Sequence, residues 1–310
     1  MSSEACADEA VLREVPKLAR SDRPGRNLIE RYWGEMVVIA LAIILWLPRL
    51  SGPIDLRWDA GVYYLLGTSL ATGHGYRILS EPGAPEALQY PPLLPAVVAL
   101  YERALGSTDP AIVGSWLRKS YAALYLAFAL VVLALARRYL RTGFAVIAVA
   151  LSLLQVNTLF FSDLLFTELP FALVSVVFVL VAVDGPLESR PWLQEVTSFA
   201  LAAVGFLLRT AGIALLGAWV LEALARRHWR LALTRGLLAL LPILAWQAHV
   251  ARVRGSYEYA HPAYEYQRAQ YQFYNVSYAE NVSFRSAGSK GSHARALAAR
   301  VTLSIRRCEN

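Results

Sequence analysis

The stretch Thr142–Ser162, which reads TGFAVIAVALSLLQVNTLFFS, runs for 21 residues without a charged side chain. An α-helix needs about 20 mostly apolar residues to cross the hydrocarbon core of a bilayer, so this stretch predicts a membrane span. The next segment, Leu164–Val183, has 20 residues and a single charge, Glu168. Two such runs in succession predict an all-α fold, a polytopic bundle of transmembrane helices.

Further runs of this kind lie on both sides of the pair. Apolar segments cover residues 33–50, 110–136 and 236–250. Val196–Leu221 has 26 residues and one charge, Arg209. The surrounding stretch 193–225 is therefore predicted to cross twice or to re-enter, with a turn at Arg209 and Thr210. The total is about seven spans by residue 250.

The composition excludes several other classes of protein. Hydrophobic residues make up 56% of the 310 residues and charged residues 17%, whereas soluble domains average about 45–50% and about 25%. The net charge is +7, but the basic residues cluster between apolar runs, which is typical of membrane topology and predicts no nucleic-acid partner. The two cysteines, Cys6 and Cys308, form no metal-binding or disulfide pattern.

The basic clusters predict the orientation, because Lys and Arg stay on the cytoplasmic side of short loops. The clusters are the leader (Arg13, Lys17, Arg20, Arg23, Arg26, Arg31), Arg137–Arg138–Arg141, and Arg226–Arg227–Arg230–Arg235. If all three clusters are cytoplasmic, an even number of spans must separate each pair of clusters. The loop 51–109 and the turn near 161–167 then lie on the outer side. The predicted divisions are a charged cytoplasmic tail 1–32, a transmembrane domain 33–250, an outer Tyr-rich loop 251–292, and the start of a further helix at 293–310.

Two amphipathic helices are predicted inside the outer loop 51–109. Asp59–Leu70 places Val62, Leu65, Leu66 and Leu70 on one side. Leu93–Leu105 is opened by two prolines and closed by Gly106, as helix ends prefer. Both helices are too short to span a bilayer, so we expect them to lie in the interface.

Three charged residues are candidates for chemistry, and each has a structural alternative. Asp59 begins an interfacial helix, where it serves either as an N-cap or as a general base at the membrane surface. Glu168 lies within a span near its outer end, where it is either functional or snorkels to water. Arg209 is either an anchor to lipid headgroups or a binder of a phosphate group. His74, between two glycines, is interpreted as a surface-loop histidine.

The remaining patterns indicate no cofactor or metal. The sequence has no nucleotide-binding glycine motif, no HExxH and no GxSxG, so nucleotide-driven and hydrolase functions have no direct support. Seven tyrosines between Tyr257 and Tyr278 are interpreted as interfacial anchors. Asn275 and Asn281 begin N-glycosylation sequons.

The order of these features resembles the GT-C membrane glycosyltransferases. It is most similar to the bacterial members related to protein O-mannosyltransferases and lipid A aminoarabinose transferases, the glycosyltransferase family 39 group. The resemblance covers about residues 33–250. It depends on Asp59 after the first span, Gly73-x-Gly75-Tyr76, the run YPPLLP from Tyr90 to Pro95, the segment Ser162–Phe171, and Leu208-Arg209-Thr210.

The resemblance implies an inverting transfer of a sugar from a polyprenyl-phosphate donor in the outer leaflet to a glycan, lipid or protein acceptor. Asp59 would be the catalytic base, and the substrate-binding residues would be Glu168, Arg209, Tyr90, Asp163 and Tyr63. It implies no nucleotide sugar, cofactor or metal, and a multi-pass protein of the bacterial inner membrane. Because relatives run well beyond 310 residues, the chain is expected to be truncated at its C-terminus. The alternative is a non-enzymatic transporter or flippase component, or an inactive remnant.

The predicted topology is testable by cysteine labelling. With Cys6 and Cys308 replaced by serine, a cysteine at Ala84 should react with a membrane-impermeant maleimide added to intact cells. A cysteine at Thr142 should react only after the membrane is opened. The reverse pattern would place Asp59 on the cytoplasmic side and contradict the orientation.

Overall fold

A computed structural model describes residues 28–182 and 190–263. The helices are α1 (Leu28–Trp46), α2 (Asp59–Ala71), α3 (Leu93–Leu105), α4 (Pro110–Tyr139), α5 (Thr142–Leu154), α6 (Val156–Asp163), α7 (Glu168–Ala182), α8 (Pro191–Leu208), α9 (Ile213–Ala225), α10 (Trp229–Arg254) and α11 (Tyr257–Ala260). Most of the leader, the part of the Tyr-rich loop beyond residue 263 with its sequons, and the helix predicted at 293–310 lie outside the described residues. The described part of the predicted loop, 251–263, contains the end of α10 and the short helix α11.

The predicted all-α fold is confirmed. Within the described ranges the only β-pairing consists of two isolated bridges. Four helices are long and apolar enough to cross a membrane, namely Tyr32–Arg49, α4, α8 and α10, and α5 with α6 makes a fifth if that bent pair is one span. Two further apolar helices, α7 and the stretch Thr210–Ala225, are shorter. These are the helices of a multi-pass membrane protein.

The predicted span over Thr142–Ser162 is not one continuous helix. The chain bends by 57° between α5 and α6. At the junction Gln155 has an extended backbone, φ −59° and ψ 129°, which ends the hydrogen-bond ladder of α5. The stretch that follows, Val156-Asn157-Thr158, contains only residues of low helix propensity, so hydrophobicity alone did not guarantee a continuous helix.

The helices run antiparallel, so the bundle has two ends. One end, called the Asp59 end below, gathers the start of α4, α7 and the long loop 51–109. The other, called the basic end, gathers the end of α4 and the starts of α8 and α10 with the arginine clusters. At the basic end Arg137 of α4 forms a bidentate ion pair with Glu35 of α1, with one contact of 2.8 Å.

A short extended segment fastens the long loop to the bundle. The Ile54 amide donates to the Gly114 carbonyl of α4 at 3.0 Å. Asp55 pairs in parallel with Leu164, so the segment before α2 lies beside the segment before α7. Arg118 of α4 donates to two carbonyl oxygens between α1 and this segment and forms an ion pair with Asp163 at 2.9 Å.

Helices α2 and α3 pack on each other, and the predicted bounds of α3 are confirmed, including a left-handed Gly106 that ends it. The predicted apolar stripe of α2 is only partly correct. Leu66 is fully buried, but Val62, Leu65 and Leu70 are partly exposed. The buried face of α2 also holds Ala60, Tyr63, Tyr64, Gly67 and Ser69, because close packing on α3 selects small and aromatic residues rather than leucine.

The segment 73–90, called the strap below, connects α2 to α3 and is held by α10. The His249 ring donates from Nε2 to the Ala87 carbonyl at 2.9 Å. Arg252 forms an ion pair with Glu86 at 2.8 Å. Inside the strap, the Tyr76 hydroxyl donates to the Tyr90 carbonyl at 2.9 Å. The last long helix of the described chain therefore holds the residues that lead into α3.

Gly67 provides a test of the α2–α3 packing. A Cβ at this position would lie 2.5 Å from the Val98 Cβ and 2.9 Å from the Pro95 carbonyl oxygen. Gly67→Ala should therefore lower the melting temperature of the purified protein despite the higher helix propensity of alanine. Gly217→Ala is the matched control, because a Cβ there meets nothing within 4 Å and gains about 0.5–1 kcal/mol of helix propensity. Equal melting temperatures for both variants would contradict the packing.

Candidate active site at the Asp59 end

Asp59 is the first residue of α2, and the predicted capping role is wrong. The residue in the N-cap position is Trp58, and no side chain caps the helix. The amides that a cap would accept from are already used, because Ala60 donates to the Arg57 carbonyl at 3.3 Å and Gly61 to the Trp58 carbonyl at 3.2 Å. The carboxylate of Asp59 is therefore available for another role.

Trp58 adopts a strained backbone immediately before Asp59. Its φ of 54° with ψ of −134° lies in a region that bulky residues rarely occupy. Such conformations cost about 1–3 kcal/mol and persist where the surroundings impose them, often at functional sites. Sequence reasoning did not identify this strain, because no residue pattern signals a positive φ at a tryptophan.

The Asp59 carboxyl is in an environment that opposes its charge. Its Oδ1 atom is buried and has no hydrogen-bond partner among the described residues. Burial raises the pKa of Asp59. A hydrogen bond from the Tyr90 hydroxyl acts in the opposite direction and lowers that pKa. The charge of Glu168 raises that pKa further, and the charge of Arg209 lowers it. Three of the predicted site residues therefore act electrostatically on the predicted base.

Tyr63 and Tyr90 form an aromatic wall beside Asp59. Their rings lie 5.0 Å apart, edge to face, and both side chains are buried. Tyr63 is one helical turn after Asp59 and shares a hydrogen bond with Thr167. Burial, the largest cause, raises the pKa of both tyrosines, so their hydroxyls remain protonated donors at neutral pH. Thr167 was not among the predicted site residues, although it precedes Glu168.

Glu168 and Arg209 form an ion pair of 2.6 Å that connects α7 to the turn after α8. Glu168 begins α7, and Arg209 follows the last residue of α8, which confirms the predicted turn at this arginine. The turn is tight because Gly212 touches the backbone of Gly205, where no Cβ would fit. The Arg209 side chain is 44% exposed, so it can contact a ligand while paired.

Asp163 has a structural partner in this arrangement. It pairs with Arg118, whose guanidinium also binds the carbonyl oxygens of Arg49 at 2.9 Å and Ser51 at 2.8 Å. This contact joins the ends of α1 and α6 to α4. The predicted substrate contact of Asp163 stays a prediction.

A row of aromatic rings extends from the strained residue along α6. Trp58 is 51% exposed and packs on Phe160 with ring centroids 5.5 Å apart. Phe160 contacts Phe161 at 5.4 Å, and Phe161 contacts Phe166 at 5.9 Å. Sequence reasoning missed this row, because the contact between Trp58 and Phe160 joins residues 102 positions apart in the chain.

The described residues offer no group of three His, Cys, Asp or Glu side chains that could hold a metal ion. His74 lies in an exposed turn between two glycines of positive φ, as predicted, and its Nδ1 is 2.8 Å from the Thr72 hydroxyl. The groups next to Asp59 that could take part in chemistry include the phenols of Tyr63 and Tyr90 and the Glu168–Arg209 ion pair.

No protein-family model, no curated protein and no solved structure matches this chain. The resemblance to GT-C glycosyltransferases stands on the motifs in the sequence. The functional assignment depends on the chemistry of the residues around Asp59.

The raised pKa of Asp59 predicts a pH-dependent stability. Because the folded state opposes ionisation, Asp59 stabilises the fold when protonated, and that contribution is lost as pH rises through the raised pKa. Asp59→Asn should therefore melt at a higher temperature than the wild type at pH 7, by about 2–4 °C for each kcal/mol of removed desolvation. The difference should shrink as the pH falls through the raised pKa and disappear only below the ordinary Asp pKa of about 3.9. A lower melting temperature for the variant at pH 7 would contradict the assignment.

Proposed function

We propose that this chain is an integral membrane glycosyltransferase that transfers a sugar from a polyprenyl-phosphate donor to an acceptor on the outer side. The observation that carries the proposal is the Asp59 carboxyl. It is held at the start of α2, has a buried oxygen without a described partner, and has a raised pKa. A general base works best when its pKa approaches the working pH.

Asp59 would activate the acceptor. An acceptor hydroxyl that donates to a carboxylate oxygen transfers its proton to Asp59 as its own oxygen attacks the anomeric carbon. The bond from that carbon to the phosphate oxygen breaks, and the lipid phosphate leaves with the electron pair. Attack opposite the leaving group inverts the anomeric configuration.

Arg209 would stabilise the charge that grows on the leaving phosphate. A guanidinium binds phosphate oxygens through paired donors, and preorganised charges of this kind lower transition-state energies. Glu168 holds one guanidinium nitrogen at 2.6 Å, which fixes the side chain before the ligand arrives. The partial exposure of Arg209 leaves its other nitrogens accessible.

Tyr90 would position the base, and Tyr63 would support Tyr90. The hydrogen bond from Tyr90 favours the ionised carboxyl of Asp59, which is the form that accepts a proton. The buried rings of Tyr63 and Tyr90 meet edge to face with centroids 5.0 Å apart, which holds the Tyr90 ring beside Asp59. The strap held by α10 determines where Tyr90 lies.

A transporter is the second candidate, supported by the 57° break between α5 and α6. Transporters build their binding sites from discontinuous helices near the midplane of the bilayer. The charged residues described above instead lie at helix ends and in loops, which favours chemistry at a membrane surface.

The activity test uses Asp59→Asn in proteoliposomes supplied with a set of radiolabelled polyprenyl-phosphate sugars. Loss of a general base should lower the transfer rate by about 10²–10⁴-fold, with folding preserved. Asp55→Asn is the matched control, because Asp55 carries the same group four residues earlier but pairs with Arg57 at 2.5 Å. That variant should retain wild-type transfer.

Two outcomes would overturn the proposal. Undiminished transfer by Asp59→Asn would show that Asp59 is not the base. Passage of the labelled lipid across the bilayer without any transfer by the wild type would favour the transporter.

A further inference from the structure

A pocket lies at the basic end of the bundle, one helix length from Asp59. It has a volume of about 210 Å³ and lies among the ends of α7 and α9 and the starts of α8 and α10. Helix α7 runs from Glu168 at the Asp59 end to Ala182 in this pocket, which separates the two sites by about 20 Å at 1.5 Å per residue. The pocket is therefore distinct from the candidate active site.

The charged side chains at the base of this pocket neutralise one another. Arg235, which is 7% exposed, donates to both carboxylate oxygens of Glu195, at 2.9 and 2.6 Å, and to Glu222 at 2.5 Å. Its remaining contact is the Trp219 carbonyl at 2.5 Å. Glu222 also pairs with Arg226. Two carboxylates are thus matched by two guanidinium groups, so the base attracts neither anions nor cations strongly.

Beside the rim of the pocket lie arginines that the base does not neutralise. Arg226, which is paired with Glu222, and His228 line the rim and are exposed. Arg227 lies between them, and Arg230 follows in the first turn of α10. In the described part of the chain neither Arg227 nor Arg230 has an ion-pair partner. The walls above the base include the apolar side chains of Phe178, Ala182 and Leu231.

Arg227 occupies a position where glycine is preferred. Its φ is 59°, and the amides of Arg227 and His228 donate to the carbonyls of Leu224 and Ala223, both at 2.9 Å. This is the hydrogen-bond pattern in which a helix ends with a left-handed residue, usually glycine, since other residues are strained there. The turn therefore places an arginine, rather than glycine, between two residues that line the pocket, Arg226 and His228.

We propose that this pocket binds an anionic phospholipid. The headgroup phosphate lies at the rim against Arg227 and His228, beside the paired Arg226, and an acyl chain lies along the apolar walls. Basic pockets between membrane helices favour anionic headgroups because the guanidinium groups meet the phosphate at the membrane surface. The proposal is independent of the glycosyltransferase assignment, since it uses none of the residues around Asp59.

Arg227→Gly separates binding from stability. In nanodiscs of phosphatidylcholine alone, the variant should melt at the same or a higher temperature than the wild type, because glycine relieves the left-handed strain. In nanodiscs that also contain phosphatidylglycerol, its affinity for the anionic lipid, measured by native mass spectrometry of the released complex, should fall about fivefold. Loss of binding through misfolding would instead lower the melting temperature in both lipids.

Arg141→Ala is the matched control. Arg141 is an exposed arginine at the same end of the bundle, before α5 and outside this pocket. Its replacement should leave phosphatidylglycerol binding unchanged. An equal loss in both variants would show general attraction of a basic surface and overturn the pocket proposal. A further test adds inorganic phosphate to the protein in detergent. If phosphate displaces the lipid at a concentration equal to that of the lipid, the site is one for free phosphate and the lipid proposal is overturned.

Discussion

The arrangement at the Asp59 end depends on the Arg118 guanidinium. Backbone carbonyls at and beyond the end of a helix have no intrahelical donor and must find another one. Arg118 supplies donors to Arg49 and Ser51 at the end of the first long helix and binds Asp163 before α7. The same contacts place the segment before α2 alongside the segment before α7. Asp59 and Glu168, which follow those segments, are neighbours for this reason.

The charged side chains that meet there differ in how far their charges are compensated. Glu168 and Arg209 compensate each other across 2.6 Å and remain partly exposed. Asp59 has a neutral donor, Tyr90, and a buried oxygen left over. A buried acceptor without a donor costs about 1–3 kcal/mol, and Trp58 adds a strained backbone next to it. Two unfavourable features on adjacent residues are not needed to start a helix, since a serine or asparagine cap would do so at lower energy.

The sequence predicted the features that depend on local chemistry. The bounds of α3 followed from two prolines and Gly106, and the turn at Arg209 followed from a lone charge between apolar runs. It did not predict features set by tertiary contacts. The break at Gln155 lies in an uncharged run, and the face that α2 buries follows from its fit to α3. Near Asp59, the sequence motifs predicted roles for Glu168, Arg209, Tyr90 and Tyr63. Thr167, Trp58 and the phenylalanines of α6 were not predicted, since their contacts join distant parts of the chain.

The candidate site is a property of the whole described bundle rather than of the long loop alone. Tyr90 reaches Asp59 because the strap before it is fixed at both ends. Tyr76 binds the carbonyl of Tyr90 within the strap, and His249 and Arg252 fasten the strap to α10. Helix α10 also contributes Arg235 to the neutralised base of the pocket at the basic end. One helix therefore supports both sites by different means. Near Asp59 it contacts the backbone of the strap, and at the opposite end it contributes to a buried ion-pair network. The effect of a variant in α10 can be assigned to one site only when the other site has been measured as well.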